Sequence, residues 1–198
     1  RCNALFGLAP TAMELVAVVG ALTAIFAAIL GPRGGKYINN PYGAFQDSTD
    51  QTAANTTTAY PVTFNTTDFS NGVTMASGSR ITVASSGIWN LQFSIQLKNT
   101  TNSGQDVDIW FRKNGTNIDN SNSRFHPPAR KGSGDPSHII AALNFFVEMN
   151  ESDYIEIMWR TENTGVSIEA FATSSSPTRP AVPSAIATMT FVSNLPTL

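Results

Sequence analysis

Residues 87–97 read GIWNLQFSIQL, and the alternation within them decides the fold class. Trp89, Leu91, Phe93, Ile95 and Leu97 fall on one phase, and Asn90, Gln92, Ser94 and Gln96 on the other. Successive side chains of an extended chain point to opposite faces, so the stretch predicts a strand with one face in a core and the other turned away from it. The period of two continues downstream. In DVDIWFRKNGTNI, residues 106–118, Val107, Ile109 and Phe111 share a phase. The chain then reaches Asn114-Gly115, a pair that tolerates the positive φ of a primed hairpin turn.

Working outward, a polar loop over residues 120–137 precedes HIIAALNFFVEM (138–149) and DYIEIMWR (153–160), with a turn at Asn150 to Ser152 between them. Both runs are apolar on both phases, which predicts strands covered on both sides. GVSIEAFA (165–172) and SAIATMTFV (184–192) follow, joined by the proline-stiffened TSSSPTRPAVP (173–183). Shorter strands fit PVTFN (61–65) and SRITVA (79–84). Roughly eight to ten strands separated by turn clusters predict an antiparallel two-sheet jelly-roll sandwich, a mainly β domain over residues 45–198.

The first 31 residues differ in kind. Leu15 to Leu30 is an uncharged run of Leu, Val, Ile, Ala and Phe. As a helix it would span about 24 Å, short of the ~30 Å hydrocarbon core of a bilayer. Leu15, Val18, Leu22, Ile25 and Ile29 are spaced as the a and d positions of a coiled-coil seam. Val16, Val19, Phe26 and Leu30 lie off that seam and are also apolar, so such a helix must be enclosed. The enclosure can be a bundle of identical helices, a membrane, or the domain itself; an acidic residue ahead of an apolar helix is also a pilin habit, although no pilin processing site is present. The expected organisation is an N-terminal hydrophobic α-helix within residues 1–31 for anchoring or oligomerisation, a Gly/Pro linker over 32–44, and the β domain.

Composition limits the function classes. Charged residues are 13% of the chain, against about 25% in ordinary soluble domains, and the formal net charge is −2 without a basic stripe. Nucleic acid is therefore not an expected partner, because its binding rests on neutralising phosphates. Cys2 is the single cysteine, which excludes an intrachain disulfide framework. His126 and His138 have no second ligand at metal spacing, no nucleophile-elbow sequence occurs, and no paired carboxylates stand out, so neither an enzyme nor a cofactor is expected. Asp106, Asp108 and Asp119 flank the hairpin without matching a calcium-loop motif, and read as solvated or turn-capping groups. Arg124, His126, Arg130 and Lys131 cluster in the long loop, where they could contact anionic glycans or simply be solvated. Asn55, Asn65 and Asn99 stand in N-x-T triplets.

The order ITVASSGIWNLQFSIQL (81–97), VDIWFRKNGTNI (107–118), HIIAALNFFVEMNESDYIEIMWR (138–160) and AIATMTFV (185–192) resembles the jelly roll of the tumour necrosis factor and complement globular-head superfamily. The points of resemblance are Gly87 to Trp89, Lys113 to Gly115 and Asp153 to Ile157, and the likeness covers residues 45–195. Among such heads, the chain is similar to those of bacteriophage structural proteins, with its YGAFQDSTDQTAA opening and SPTRPAVPS ending. The resemblance implies a homotrimer on the virion surface: a spike, fibre head or capsid decoration attached to other virion proteins through its N-terminus, stabilising the particle or attaching it to a host. A carbohydrate-binding adhesin or lectin is the alternative, with a host-surface glycan as ligand.

Overall fold

A computed structural model describes residues 40–195. Along the chain run β1 (Tyr42–Asp47), β2 (Gln51–Thr52), β3 (Tyr60–Pro61), β4 (Thr66–Asn71), β5 (Val73–Ala76), β6 (Arg80–Val83), β7 (Gly87–Asn99) and β8 (Val107–Lys113). They are followed by β9 (Thr116–Asn117), β10 (Ser123–Phe125), β11 (Ser137–Met149), β12 (Tyr154–Thr161), β13 (Val166–Ile168), β14 (Ser174–Ser175), β15 (Thr178–Arg179) and β16 (Ala185–Ser193). The expectation of a helix ahead of the sandwich is corrected: the described residues are β throughout and contain no helix. The seam positions Leu15, Val18, Leu22, Ile25 and Ile29 lie outside the described residues.

Two antiparallel sheets carry the fold. In sheet I, β4, β1, β16, β7 and β11 are neighbours in that order, with β13 beside the far end of β7 and β2 beside β13. In sheet II the order is β5, β6, β12, β8 and β10, with β3 on β12 and β9 on β8. Eight strands make the frame. Their pairs are β1 with β16, β6 with β12, β7 with β11 and β8 with β10, so the first of the eight meets the last, the second the seventh, and so inward. That nesting is what one long hairpin makes when rolled over on itself, and it is compatible with a jelly-roll-like β-sandwich.

The core lies between the sheets and follows the period of two. Trp89, Leu91, Phe93, Ile95 and Leu97 from β7 meet Ile109 and Phe111 from β8 and Ile155, Ile157 and Trp159 from β12, all buried. Phe111 stacks on Phe145 with ring centroids 4.5 Å apart and stands edge-on to Phe93 at 5.9 Å, which ties the two sheets together near the middle. The β8–β9 hairpin closes with φ of 50° at Asn114 and 82° at Gly115, the left-handed pair that a type I′ turn requires.

Two strand expectations change. β1 starts at Tyr42, inside the stretch read as a linker over 32–44. Gly43 is a packed strand residue, since a Cβ there would sit 2.7 Å from Phe45 Cζ and 3.0 Å from Val73 Cγ1. On β11, Ser137, Ala141, Val147 and Met149 face inward, while His138, Ile140, Ala142, Asn144, Phe146 and Glu148 are exposed, so among the described residues one phase only is covered. β12 does bury both phases, because Glu156 and Met158 on its outer side are covered as fully as Ile155 and Ile157 on its inner one.

Where β7 begins, Phe191 of β16 leaves room for hydrogen alone. A Cβ on Gly87 would lie 2.3 Å from the Phe191 ring and 2.7 Å from the Ser193 carbonyl oxygen. Gly87→Ala must push β16 away from Trp89, against which Phe191 packs edge-on at 5.3 Å. The expected cost in urea unfolding is about 1–3 kcal/mol, as for other overpacked sites.

Candidate functional site

The outer faces of the two sheets differ in chemistry. On sheet II, the outward residues of β8 and β12 pair across the ladder as Asp108 with Arg160, Trp110 with Met158, and Arg112 with Glu156. Both carboxylates are buried and each is held by several donors. Asp108 accepts from Arg124 Nε at 3.0 Å, Arg160 Nε at 3.0 Å and Asn122 Nδ2 at 3.3 Å. Glu156 accepts from Ser79 Oγ at 2.8 Å and Arg112 Nε at 3.0 Å, with Arg80 Nε 3.8 Å away. A buried carboxylate is tolerated only when its lone pairs are met in this way.

Burial by itself would push the Asp108 carboxyl up, but the hydrogen bonds from Arg124, Asn122 and Arg160 and the Arg124 charge outweigh it and hold it below the usual range. Glu169 behaves alike: burial opposes ionisation, while hydrogen bonds from Lys98 and His138 favour it and prevail. Asp153 is lowered against its own burial by the Asn150 backbone N–H, the Asn114 side chain and the Lys113 charge.

Beside Asp108 a cleft of 380 Å³ opens on the outer side of β8. Trp110 and Arg160 line it from the sheet, and Asn117, Asp119, Asn120 and Asn122 from the segment that follows the hairpin. Asn120 holds φ at 59°, which turns the chain around the cleft between Ile118 and Asn122.

Sheet I presents the opposite chemistry. Three rows cross β11, β7, β16 and β1: Phe146, Asn90, Thr190 and Tyr42; Asn144, Gln92, Thr188 and Ala44; Ala142, Ser94, Ile186 and Gln46. None of these twelve positions carries a charge. Ile140 is 61% exposed, Phe146 57% and Phe69, which meets Tyr42 edge-on, 64%. Charge is confined to the margins of the face: Glu148 stands at one end, Lys98, His138 and Glu169 pair at the other, and Asp68 on the edge strand β4 accepts from Gln46 Nε2 at 2.7 Å.

The loop residues singled out in the sequence do not converge on one site. Arg124 and His126 meet on Asp106, at 3.3 and 2.6 Å, and Arg124 is further held by Asp108. Arg130 instead donates to Asn102 Oδ1 at 2.7 Å, and Lys131 starts a small turn closed against Asp135. Among the described residues no group of three His, Cys, Asp or Glu could hold a metal ion, so Asp106, Asp108 and Asp119 do not combine. Among them, too, no helix is long and apolar enough to cross a membrane. Asn99 is fully buried: its amide donates to the Ser103 and Pro128 carbonyls at 2.8 and 2.9 Å and accepts from Thr101. It fastens two loops and offers nothing to a glycosyl donor.

What sequence reasoning passed over is the cleft. Its signal was present, since Trp110 is a large aromatic on the phase opposite Val107, Ile109 and Phe111, and Asn117, Asn120 and Asn122 crowd residues 117–122.

Asp108→Ala leaves Arg124, Arg160 and Asn122 without their shared acceptor and should cost on the order of 2–3 kcal/mol in denaturant unfolding. Because Asp108, Asp153 and Glu169 are all more acidic folded than unfolded, their contribution is complete above the unfolded carboxylate range near pH ~4 and is lost as pH falls through the folded values. Thermal stability should therefore drop steeply on acidification below that range, and the drop should be shallower in Asp108→Asn.

No protein-family model matches the sequence, and the comparison with curated proteins found no match, so the functional reading rests on the geometry of these two faces.

Proposed function

We propose that the chain is a structural protein of a virion surface, a jelly-roll head of the tumour necrosis factor and complement type that assembles as a homotrimer through the outer face of sheet I. The observation that carries this reading is the row of uncharged side chains across β11, β7, β16 and β1, with Ile140, Phe146 and Phe69 left in water. A protein face meant for solvent carries interspersed charge, as sheet II does, and an uncharged one with exposed aromatics fits a partner of its own kind.

The edge of sheet I supports the same reading. β11 runs for thirteen residues beside β7, and among the described residues its other edge pairs with nothing. A long free edge carrying Ile140 and Phe146 invites association, and a protein that lives assembled removes that hazard by covering it. The nested pairing of eight strands is compatible with the jelly roll that the resemblance implies. The low charge and the abundance of Asn, Thr and Ser suit a particle exterior. The apolar run of residues 15–30 supplies the attachment to the rest of the particle.

The full chain should sediment as a trimer. Phe146→Lys and Ala142→Lys place charge in the centre of the proposed contact, on side chains that make no core packing, and should weaken association at least about 30-fold with an unchanged far-ultraviolet spectrum. A wild-type chain that sediments as a monomer overturns the assembly. A chain absent from purified particles overturns the virion role.

A further inference from the structure

The cleft beside Trp110 lies on sheet II, away from the face used for assembly, and its chemistry is that of a ligand site. We infer that it binds a neutral pyranose, one sugar unit of a surface glycan.

The argument starts from what each wall still has to offer. The Trp110 indole N–H is already satisfied by Asn117 Oδ1 at 2.8 Å, so the ring contributes hydrocarbon and π surface to the cleft. A half-buried tryptophan of that kind matches the C–H face of a sugar ring, which needs an apolar platform. The polar walls are matched to hydroxyls. Asn117 keeps its amide N–H₂, and Asn122 keeps its carbonyl oxygen after donating to Asp108. Asp119 and Asn120 make no side-chain hydrogen bond among the described residues, leaving a carboxylate and a primary amide free at the rim. Arg160 is bound to Asp108 through Nε and reaches Glu162 only at 3.7 Å, which leaves guanidinium N–H groups toward the cleft. Donors and acceptors thus alternate around an aromatic surface, and adjacent hydroxyls of a sugar, each donor and acceptor at once, are the groups that satisfy such a set together.

Two further features support a ligand and define its charge. Asp108 is 5% exposed and is locked between Arg124 and Arg160, so the wall that carries Arg160 is fixed before anything binds. The lining sets Asp108 and Asp119 against Arg160 alone, and Arg124 behind Asp108 is shared with Asp106, so no net positive charge faces the cleft, which favours a neutral sugar over an anionic one. The volume of 380 Å³ falls in the roughly 300–1,000 Å³ range of small-molecule sites.

The test is saturation-transfer NMR on the full chain with the methyl glycosides of glucose, galactose, mannose and N-acetylglucosamine, and with N-acetylneuraminic acid as the charged probe. At least one neutral glycoside should show transfer to its ring protons and shift the Trp110 indole resonance. Trp110→Ala should abolish the transfer, and Asn120→Ala, at an exposed rim position outside the core, should weaken it at least about tenfold. Sedimentation of both variants should match wild type, because the contact face lies on the other sheet. No transfer from any neutral glycoside, transfer unchanged in Asn120→Ala, or a preference for N-acetylneuraminic acid would each overturn the assignment. A monomeric wild type that still binds sugar would sink the trimer and leave the cleft standing.

Discussion

One row of side chains, Trp89, Leu91, Phe93, Ile95 and Leu97, is the wall on which both sheets are assembled. β7 is a thirteen-residue strand flanked along nearly all its length, by β11 on one edge and by β16 and β13 in succession on the other. Each inward residue removes an aliphatic or aromatic side chain from water, worth roughly 1.5–3 kcal/mol, and a one-residue slip of register would put the entire row outside. The constraint is therefore cooperative. Gly87 permits the strand to start under Phe191, Asn99 ends it by fastening the loops around Ser103 and Pro128, and between them the register has no freedom.

A strict alternation on β7 also decides what the two outer faces are free to become. The reverse phase of the same strand, Asn90, Gln92, Ser94 and Gln96, is polar but uncharged, and its neighbours on β11 and β16 mix Asn and Thr with the apolar Ile140, Ala142, Phe146 and Ile186, again without charge. On sheet II the outward phase of β8 and β12 is built from ion pairs instead, with Asp108 and Glu156 drawn under their arginines. Ion pairs on a sheet face keep it hydrated at the arginines while covering the strands beneath, so that Met158 is buried on a side that nominally faces solvent. The described residues are thus two-sided: one face bears ion pairs and a cleft, while the middle of the other is uncharged.

How much of this was legible depends on whether the signal was local. The phase of β7, the primed turn at Asn114-Gly115 and the strand cores of β8, β12 and β16 follow from period and turn chemistry alone. β1 was hidden because Pro41 and Gly43 look like punctuation, and only the tertiary packing of Phe45 and Val73 reveals why glycine is needed there. β11 misled for a different reason: Ile140 and Phe146 are apolar without being core, and a sequence does not distinguish a buried side chain from one awaiting a partner. Arg124 and His126 were legible as basic residues, but their neutralisation by Asp106 and Asp108 depends on a register between β8 and β10 that no local pattern encodes. In the cleft, Trp110 and the residues of and after β9 are close in the chain, but Arg160 is distant and is brought in only by the pairing of β12 with β8.

The proposed placement of assembly and recognition on opposite sheets would have an energetic consequence. A shallow open site on a single sugar unit has little contact area from which to recover the lost freedom of the ligand, so its intrinsic affinity is necessarily weak. A trimer built through sheet I keeps sheet II outward on every copy, and many such trimers on a particle turn weak single contacts into firm attachment without any new interaction. In that proposal the two faces are complementary: the uncharged one would supply copy number, and the charged one would use it. Strengthening the cleft itself would be the less effective route, because rim residues such as Asn120 and Asp119 add hydrogen bonds that water already satisfies, whereas each added copy multiplies the effective concentration of all the others.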